Sequence, residues 1–286
     1  MSAGVTGNMQ NQAERLGHIL LDEPRGQGIN NDEINMKVYY GHLKRRGMVA
    51  ADTDSIGNVG YADYILSSDI MVGWHGGIEY AWLKAKSKTL QMNSTSGIMG
   101  LHGRYNITDR MYLRSQLSGI LSRDHNYFSS FDGSHAKASV TNSGFYGASY
   151  LGYDFILNGK HVITPEVGFS TLLTHMPALS VNYDRNPDLS HRYLAHNNAT
   201  SYANVSVRWD GLVDIGGSNY RPLIMTGVKK NVAGTDIKMT MTFNDQRFNG
   251  RLTQEQGRIY WGAGIRRGIN TNFDLGFNYR GGLAHI

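Results

Sequence analysis

Cysteine is absent from the chain, which rules out a disulfide framework, a thiolate metal site and a small stapled secreted domain. Proline is scarce, at 5 residues among 286. No run approaches the roughly 18 consecutive apolar residues that a spanning helix needs, so the pattern is not that of a helical membrane protein. A large excess of one charge is missing too. The 28 lysines and arginines outweigh the 23 acidic residues by +5 without forming a basic tract, and nucleic acid is not an expected partner. Met1 to Gly7 lacks the basic start and the apolar stretch of about 7–15 residues that make a signal peptide. If the protein resides beyond an inner membrane, its export signal is expected upstream.

The chain is rich instead in glycine (35 residues) and tyrosine (17), at a mean hydropathy of −0.39. From about Ile34 onward apolar and polar residues alternate. Ala203, Val205, Val207 and Trp209 interleave with Asn204, Ser206, Arg208 and Asp210. Ile259, Trp261, Ala263 and Ile265 oppose Arg258, Tyr260, Gly262, Gly264 and Arg266, and Phe273, Leu275, Phe277 and Tyr279 oppose Asn272, Asp274, Gly276, Asn278 and Arg280. A period of two places these sets on opposite faces of strands. One face suits lipid, and the other suits a narrow polar lumen in which glycine makes room for something bulky.

The pattern predicts eleven strands, near 34–44, 61–74, 77–88, 94–106, 110–122, 137–156, 161–174, 199–213, 220–230, 257–268 and 272–284. Single-chain bacterial barrels usually have an even count, so about twelve are expected, with 236–243 a place for one more. Short links are read at Trp74-His75-Gly76-Gly77, Ile107-Thr108-Asp109, Leu157-Asn158-Gly159-Lys160, Asp214-Ile215-Gly216-Gly217-Ser218 and Asn270-Thr271-Asn272, with long polar loops between them. Tight turns on one rim and longer loops on the other mark a closed antiparallel barrel crossing an outer membrane. Trp74, Tyr80, Trp82, Tyr105, Tyr112, Tyr153, Phe155 and Tyr220 fall near the rims, where aromatic rings form interfacial girdles. Arg104, Arg114, Arg208, Arg258, Arg266 and Arg280 are expected to line the pore, because charge faces lipid only at high cost.

Ahead of the strands, Asn8 to Leu21 sets Met9, Ala13, Leu16 and Leu20 three or four apart, one face of a short helix, until Pro24 and Arg25-Gly26-Gln27-Gly28 break it. A short helix followed by phrases such as Val38-Tyr39-Tyr40-Gly41, Ile70-Met71-Val72-Gly73-Trp74, Ile78-Glu79-Tyr80-Ala81, Ile163-Thr164-Pro165-Glu166-Val167-Gly168 and Trp261-Gly262-Ala263-Gly264-Ile265 resembles the translocator barrel of autotransporters. That resemblance implies an all-β, transmembrane antiparallel barrel of about twelve strands. Residues 1–30 would be a linker and a pore helix carrying Glu14, Arg15, Asp22 and Glu23, and residues 31–286 the outer-membrane barrel. It further implies export of an upstream passenger to the bacterial cell surface, insertion into outer-membrane lipid by the barrel assembly machinery, a monomer, and no cofactor or metal. Some members cut their passenger at an asparagine pair in the pore helix. Here Gln10-Asn11 stands in that place, and Asn11 is the residue that could cyclise. Members normally end on an aromatic residue, whereas this chain ends Gly281-Gly282-Leu283-Ala284-His285-Ile286, so a truncated last strand with an unpaired edge is expected.

Three alternatives share the strand pattern: a porin, a barrel hydrolase with its site in the outer loops, and a soluble β-sandwich. Asp124-His125 and Ser134-His135 are the pairs a hydrolase would use, but neighbours on a strand point to opposite faces, and no Gly-x-Ser-x-Gly elbow is present. The eleven histidines are scattered without metal-ligand spacing. His102 and His161 fall in predicted strands, and His125, His135, His175, His191 and His196 in or beside predicted loops.

Overall fold

The computed structural model describes residues 34–46, 50–234, 236–253, 256–270 and 273–285. The expected pore helix, with Asn11, Glu14, Arg15, Asp22 and Glu23, lies outside them. Alternation of polarity produces long strands: Ile34–Arg46 (β1), Ala51–Ile65 (β2), Ile70–Ala85 (β3), Leu90–Asn106 (β4), Met111–Ser129 (β5), His135–Tyr153 (β6), His161–Met176 (β8), His196–Gly211 (β11), Ser218–Ala233 (β13), Gly257–Asn270 (β16) and Phe273–His285 (β17). Six short ones fall between these: Phe155–Leu157 (β7), Leu179–Val181 (β9), His191–Tyr193 (β10), Val213–Ile215 (β12), Asp236–Phe243 (β14) and Gln246–Thr253 (β15). Among the described residues no helix is long and apolar enough to cross a membrane.

The eleven long strands close into a barrel, in which all neighbours are antiparallel except β1 and β17. Those two run parallel, from Met36 opposite Leu275 to Arg46 opposite His285. An up-and-down chain with an odd number of strands brings its first and last strands round in the same direction. The wall therefore closes on eleven strands, and the edge expected to be bare is paired, so no row of unsatisfied backbone groups meets lipid there.

The outward face carries Ile78, Met99, Leu101, Leu121 and Phe277, all more than half exposed, while Asn204, Ser206, Arg208 and Asp210 are buried inside. This inside-out polarity suits hydrocarbon around the wall and removes the sandwich alternative. Trp74, Tyr105, Tyr153 and Phe155 face outward near the tight rim and Tyr80 faces outward toward the other. Tyr112 does not. It is fully buried on the lumen face, so its place in the girdle is corrected.

One predicted link is also corrected. Trp74 to Gly77 runs through the middle of β3, and the turn lies at residues 66–69. The glycine pair punctuates nothing here: a Cβ on Gly77 would collide with the Asn58 carbonyl oxygen, so glycine serves close approach of β2. The opposite rim is not shaggy in the way expected either. Its links at 47–50, 86–89 and 130–134 are short, and its two long excursions are mostly strand. β9 and β10 continue the β8–β11 hairpin in register, and β10 pairs with β14, which pairs with β15 through a tight turn at Asn244 and Asp245, both at positive φ. The wall thus rises on one side into a crest, and the strand looked for in 236–243 belongs to it.

Candidate functional site in the barrel lumen

Inward positions alternate along each strand, and register decides which of them meet. Arg104 and Arg114 are direct partners across β4 and β5, a pairing that like charge disfavours. Each is drawn aside by its own ligands. Arg104 donates to Asn106 Oδ1 at 3.1 Å and Asp154 Oδ2 at 3.3 Å, with its guanidinium 3.7 Å from the Tyr112 ring centre. Arg114 donates to Glu166 Oε2 at 2.6 Å and lies 4.7 Å above Tyr150. The Tyr112 hydroxyl donates to the other oxygen of Glu166 at 2.7 Å, and Thr164 donates to Asp154 at 2.8 Å. Arg208 donates to Asp210 at 2.7 Å. Buried charge persists only when paired and hydrogen-bonded in this way.

Arg258 and Arg280 are buried on β16 and β17, with Arg280 folded over Gly262 against Met225, and Arg266 is half-buried with the same parity as Arg258. The structure also adds charges that the sequence reading passed over. Lys37 sits 5.0 Å over Tyr61, Lys229 sits 4.2 Å over Tyr202, and Glu79 accepts from Tyr39 at 3.0 Å. Their parity within the strands was the available signal, since each alternates with outward residues. Between these charged zones Tyr39, Val59, Tyr61, Ile98, Ile120, Tyr146, Tyr150 and Leu172 form a buried cluster.

A second constellation spans β2 to β5. Asp63 Oδ1 lies 2.5 Å from His102 Nε2, His102 Nδ1 lies 3.2 Å from His75 Nδ1, and His75 Nε2 lies 2.9 Å from Ser118 Oγ, which also accepts from Gln116 at 2.7 Å. The carboxylate fixes the direction of the chain. With His102 Nε2–H donating to Asp63, His102 Nδ1 accepts from His75, and His75 Nε2 accepts from the serine hydroxyl. Two glycines make the space. A Cβ on Gly73 would meet Asp63 and His102, and one on Gly100 would meet His75 and Ser118. The polarity matches that of a nucleophile, base and acid with a second imidazole inserted. Ser118, however, is only 1% exposed, a placement that braces four strands and presents no open face to a substrate. Of the pairs singled out for hydrolysis, Asp124 turns inward to Ser122 and Asn142, while His125 turns outward to Ser139.

Near the crest, Phe128, Ala136, Ala138 and Val140 pack against Leu179 and Val181, drawing the 177–195 excursion onto β5 and β6. Two carboxylates tie it down. Asp132 accepts from Asn186 at 3.0 Å and from the Ser134 backbone at 2.9 Å, and Asp184 accepts from the His135 backbone at 2.7 Å. The Asn186 amide and the Ser134 bonds hold the Asp132 carboxyl down at about 2, and the His135 amide lowers Asp184. Because both folded values lie below the unfolded one near 3.9, the clamp is at full strength above about pH 4 and fails as pH falls through about 2. An acid protease active from pH 2 to 5 should therefore cut residues 182–190 faster at the acid end, relative to an unfolded peptide of the same sequence. A constant ratio refutes the clamp.

A family model described as Autotransporter beta-domain matches residues 34–280. Comparison with curated proteins gives no match. Among solved structures, the chain is similar to the translocator domain of autotransporter NalP from Neisseria meningitidis, with 14% identity and a TM-score of 0.72 over 94% of this chain and 87% of that one. It is also similar to the beta domain of the Bordetella autotransporter BrkA, with 14% identity and a TM-score of 0.56 over 88% of this chain and 93% of that one. At such identity, what is shared is the barrel.

Proposed function

Because the chain belongs to the autotransporter β-domain family and is an outer-membrane translocator barrel, we propose that it anchors and exports an N-terminal passenger to the bacterial cell surface, without turnover or cofactor. The observation that carries this reading is the closed wall, apolar toward lipid and lined inside by paired charges such as Arg114 and Glu166. Residues 31–286 form the barrel and residues 1–30 the linker and pore helix. Arg104, Arg114, Arg208, Arg258, Arg266 and Arg280 line the passage, and the carboxylates of Glu14, Asp22 and Glu23 on the helix, which also carries Arg15, pair with some of them. Asn11 is the residue of that helix able to cyclise and release a passenger. The tight rim, with links such as 66–69 and 107–110, faces the cell interior, and the crest rim faces outward. The barrel acts as a monomer in outer-membrane lipid, placed there by the barrel assembly machinery.

Single-channel conductance tests the plug. Deleting residues 1–27 should raise conductance several-fold over the intact chain in the same planar bilayer. Equal conductance of the two would remove the pore helix, and with it this assignment of residues 1–30.

A further inference from the structure

From the outward surface of β3 to β6 we infer that this protein carries a binding site for the phosphorylated sugar headgroup of an acylated glycolipid. The site is a lattice of cross-strand rungs lying on the crest side of the apolar band. The first rung is Lys84, Gln91, Tyr127 and Lys137, each the register partner of the next. The second is Trp82, Asn93, His125 and Ser139, with His125 Nδ1 at 2.8 Å from the Ser139 hydroxyl. Tyr80, Thr95, Arg123 and Thr141 make the third. All twelve side chains are exposed or half-exposed and share the outward parity.

No carboxylate stands among the twelve. Arg123 and Lys137 make no ion pair among the described residues, and Lys137 reaches over the Tyr127 ring. On the β2 border Asp52 faces Lys84, and Asp54 is held by the Tyr40 hydroxyl at 2.7 Å and His42 at 2.8 Å. The change below the lattice is abrupt. One rung further down lie Ile78, Gly97, Leu121 and Ser143, and the next holds Met99 and Phe145, so acyl chains have a surface directly beneath. Toward the tight rim, the same four strands carry Val72, Tyr105, Leu113, Leu151 and Tyr153 outward, without a cation.

Four strands and three rungs span about 14 Å by 14 Å, the footprint of a disaccharide headgroup. Three fixed cations suit phosphate, the amide and hydroxyl side chains suit sugar hydroxyls, and Tyr80, Trp82 and Tyr127 offer flat faces to sugar rings. A simple anionic phospholipid would use the cations and leave the remaining donors and rings idle. The placement in the outer leaflet rests on the crest rim facing outward, as proposed above, but the recognition itself does not.

The test uses the full chain in detergent micelles, titrated with a bis-phosphorylated, acylated glucosamine disaccharide and followed by native mass spectrometry. Replacing Lys84, Arg123 and Lys137 together by Gln should weaken binding about a hundredfold, and R123Q alone about fivefold. Because all three side chains are exposed, heat-modifiable gel migration should stay unchanged and report that the variant barrels are folded. Removing the phosphates from the lipid should cost as much as the triple variant, and phosphatidylglycerol should bind at least about tenfold more weakly than the glycolipid. Inorganic phosphate in the tens of millimolar should not displace the lipid. Binding by the folded triple variant within twofold of the parent overturns the site. Equal binding of the dephosphorylated lipid or of phosphatidylglycerol, or displacement by phosphate alone, overturns the headgroup assignment. The conductance experiment does not involve these residues, so either result can fail without the other.

Discussion

Replacing Glu166 by leucine should lower the stability of the folded barrel by about 3 kcal/mol, because it strands a buried guanidinium without its anion. Arg114 and Glu166 are 3% and 1% exposed and meet at 2.6 Å. Arg114 Nε and Nη1 already find no partner among the described residues, so Glu166 is the carboxylate that neutralises it. The same carboxylate anchors the Tyr112 hydroxyl, so its loss frees two groups at once. Removing both charges, with Arg114 and Glu166 each replaced by leucine, should recover most of the loss, since an apolar pair leaves no unpaired charge behind. Urea midpoints of the barrel refolded in lipid vesicles measure both. A single variant that loses less than about 1 kcal/mol would show that water in the lumen screens Arg114 well enough without the acid.

A methyl group at Gly100 should be nearly as damaging. Its Cβ would fall within contact of the Leu117 carbonyl oxygen and the Ser118 Cα, both backbone, and 2.8 Å from His75 Nε2. Neither β5 nor the His75 ring can withdraw without breaking the chain of bonds from Ser118 to Asp63. Gly100→Ala should therefore cost about 2–3 kcal/mol as an overpacked site, and should slow the appearance of the compact form on gels during refolding. Gly97 provides the control on the same strand. A Cβ there meets nothing within 4 Å, so Gly97→Ala should be neutral within about 0.5 kcal/mol. Equal effects at the two positions would mean that helix or coil propensity, and not the crossing of His75 over β4, sets the penalty.

The wall was legible because lipid and lumen impose opposite demands on successive residues, so Val205, Val207 and Trp209 could be separated from Asn204, Ser206 and Arg208 by parity alone. The second and third strands were misplaced: the expected 61–74 straddles the turn at 66–69 and leaves 51–60 of β2 unread, since Gly76-Gly77 imitates turn punctuation inside β3. The true turn has a quieter signature. In Leu66 to Ile70 the Ser67 hydroxyl accepts from Asp69 and Ile70 amides, and in Ile107 to Met111 the Thr108 hydroxyl accepts from Arg110 and Met111 amides. A hydroxyl residue at the second position of each segment was there to be compared. The arginines could be assigned to the inner face for the same reason that the strands could be found. Their partners could not, because Glu166 reaches Arg114 only through a register that joins β5, β6 and β8, and alternation carries no register. The Asp63 to Ser118 chain was hidden in the same way, its members being spread over four strands.

The close fit of tyrosine over glycine has a bearing on how the barrel finds its alignment. Tyr39 lies over Gly57, Tyr112 over Gly152, Tyr150 over Gly168 and Tyr260 over Gly227, each pair facing directly across neighbouring strands. A slide of two residues would preserve the inward and outward faces, and so escape correction by lipid. It would, however, set Tyr150 against Glu166 or Ser170 and Tyr112 against Tyr150 or Asp154, where a side chain already fills the ring's place. These notches count residues where polarity cannot, and a wall whose inner surface is too polar to choose its own stagger is keyed by them.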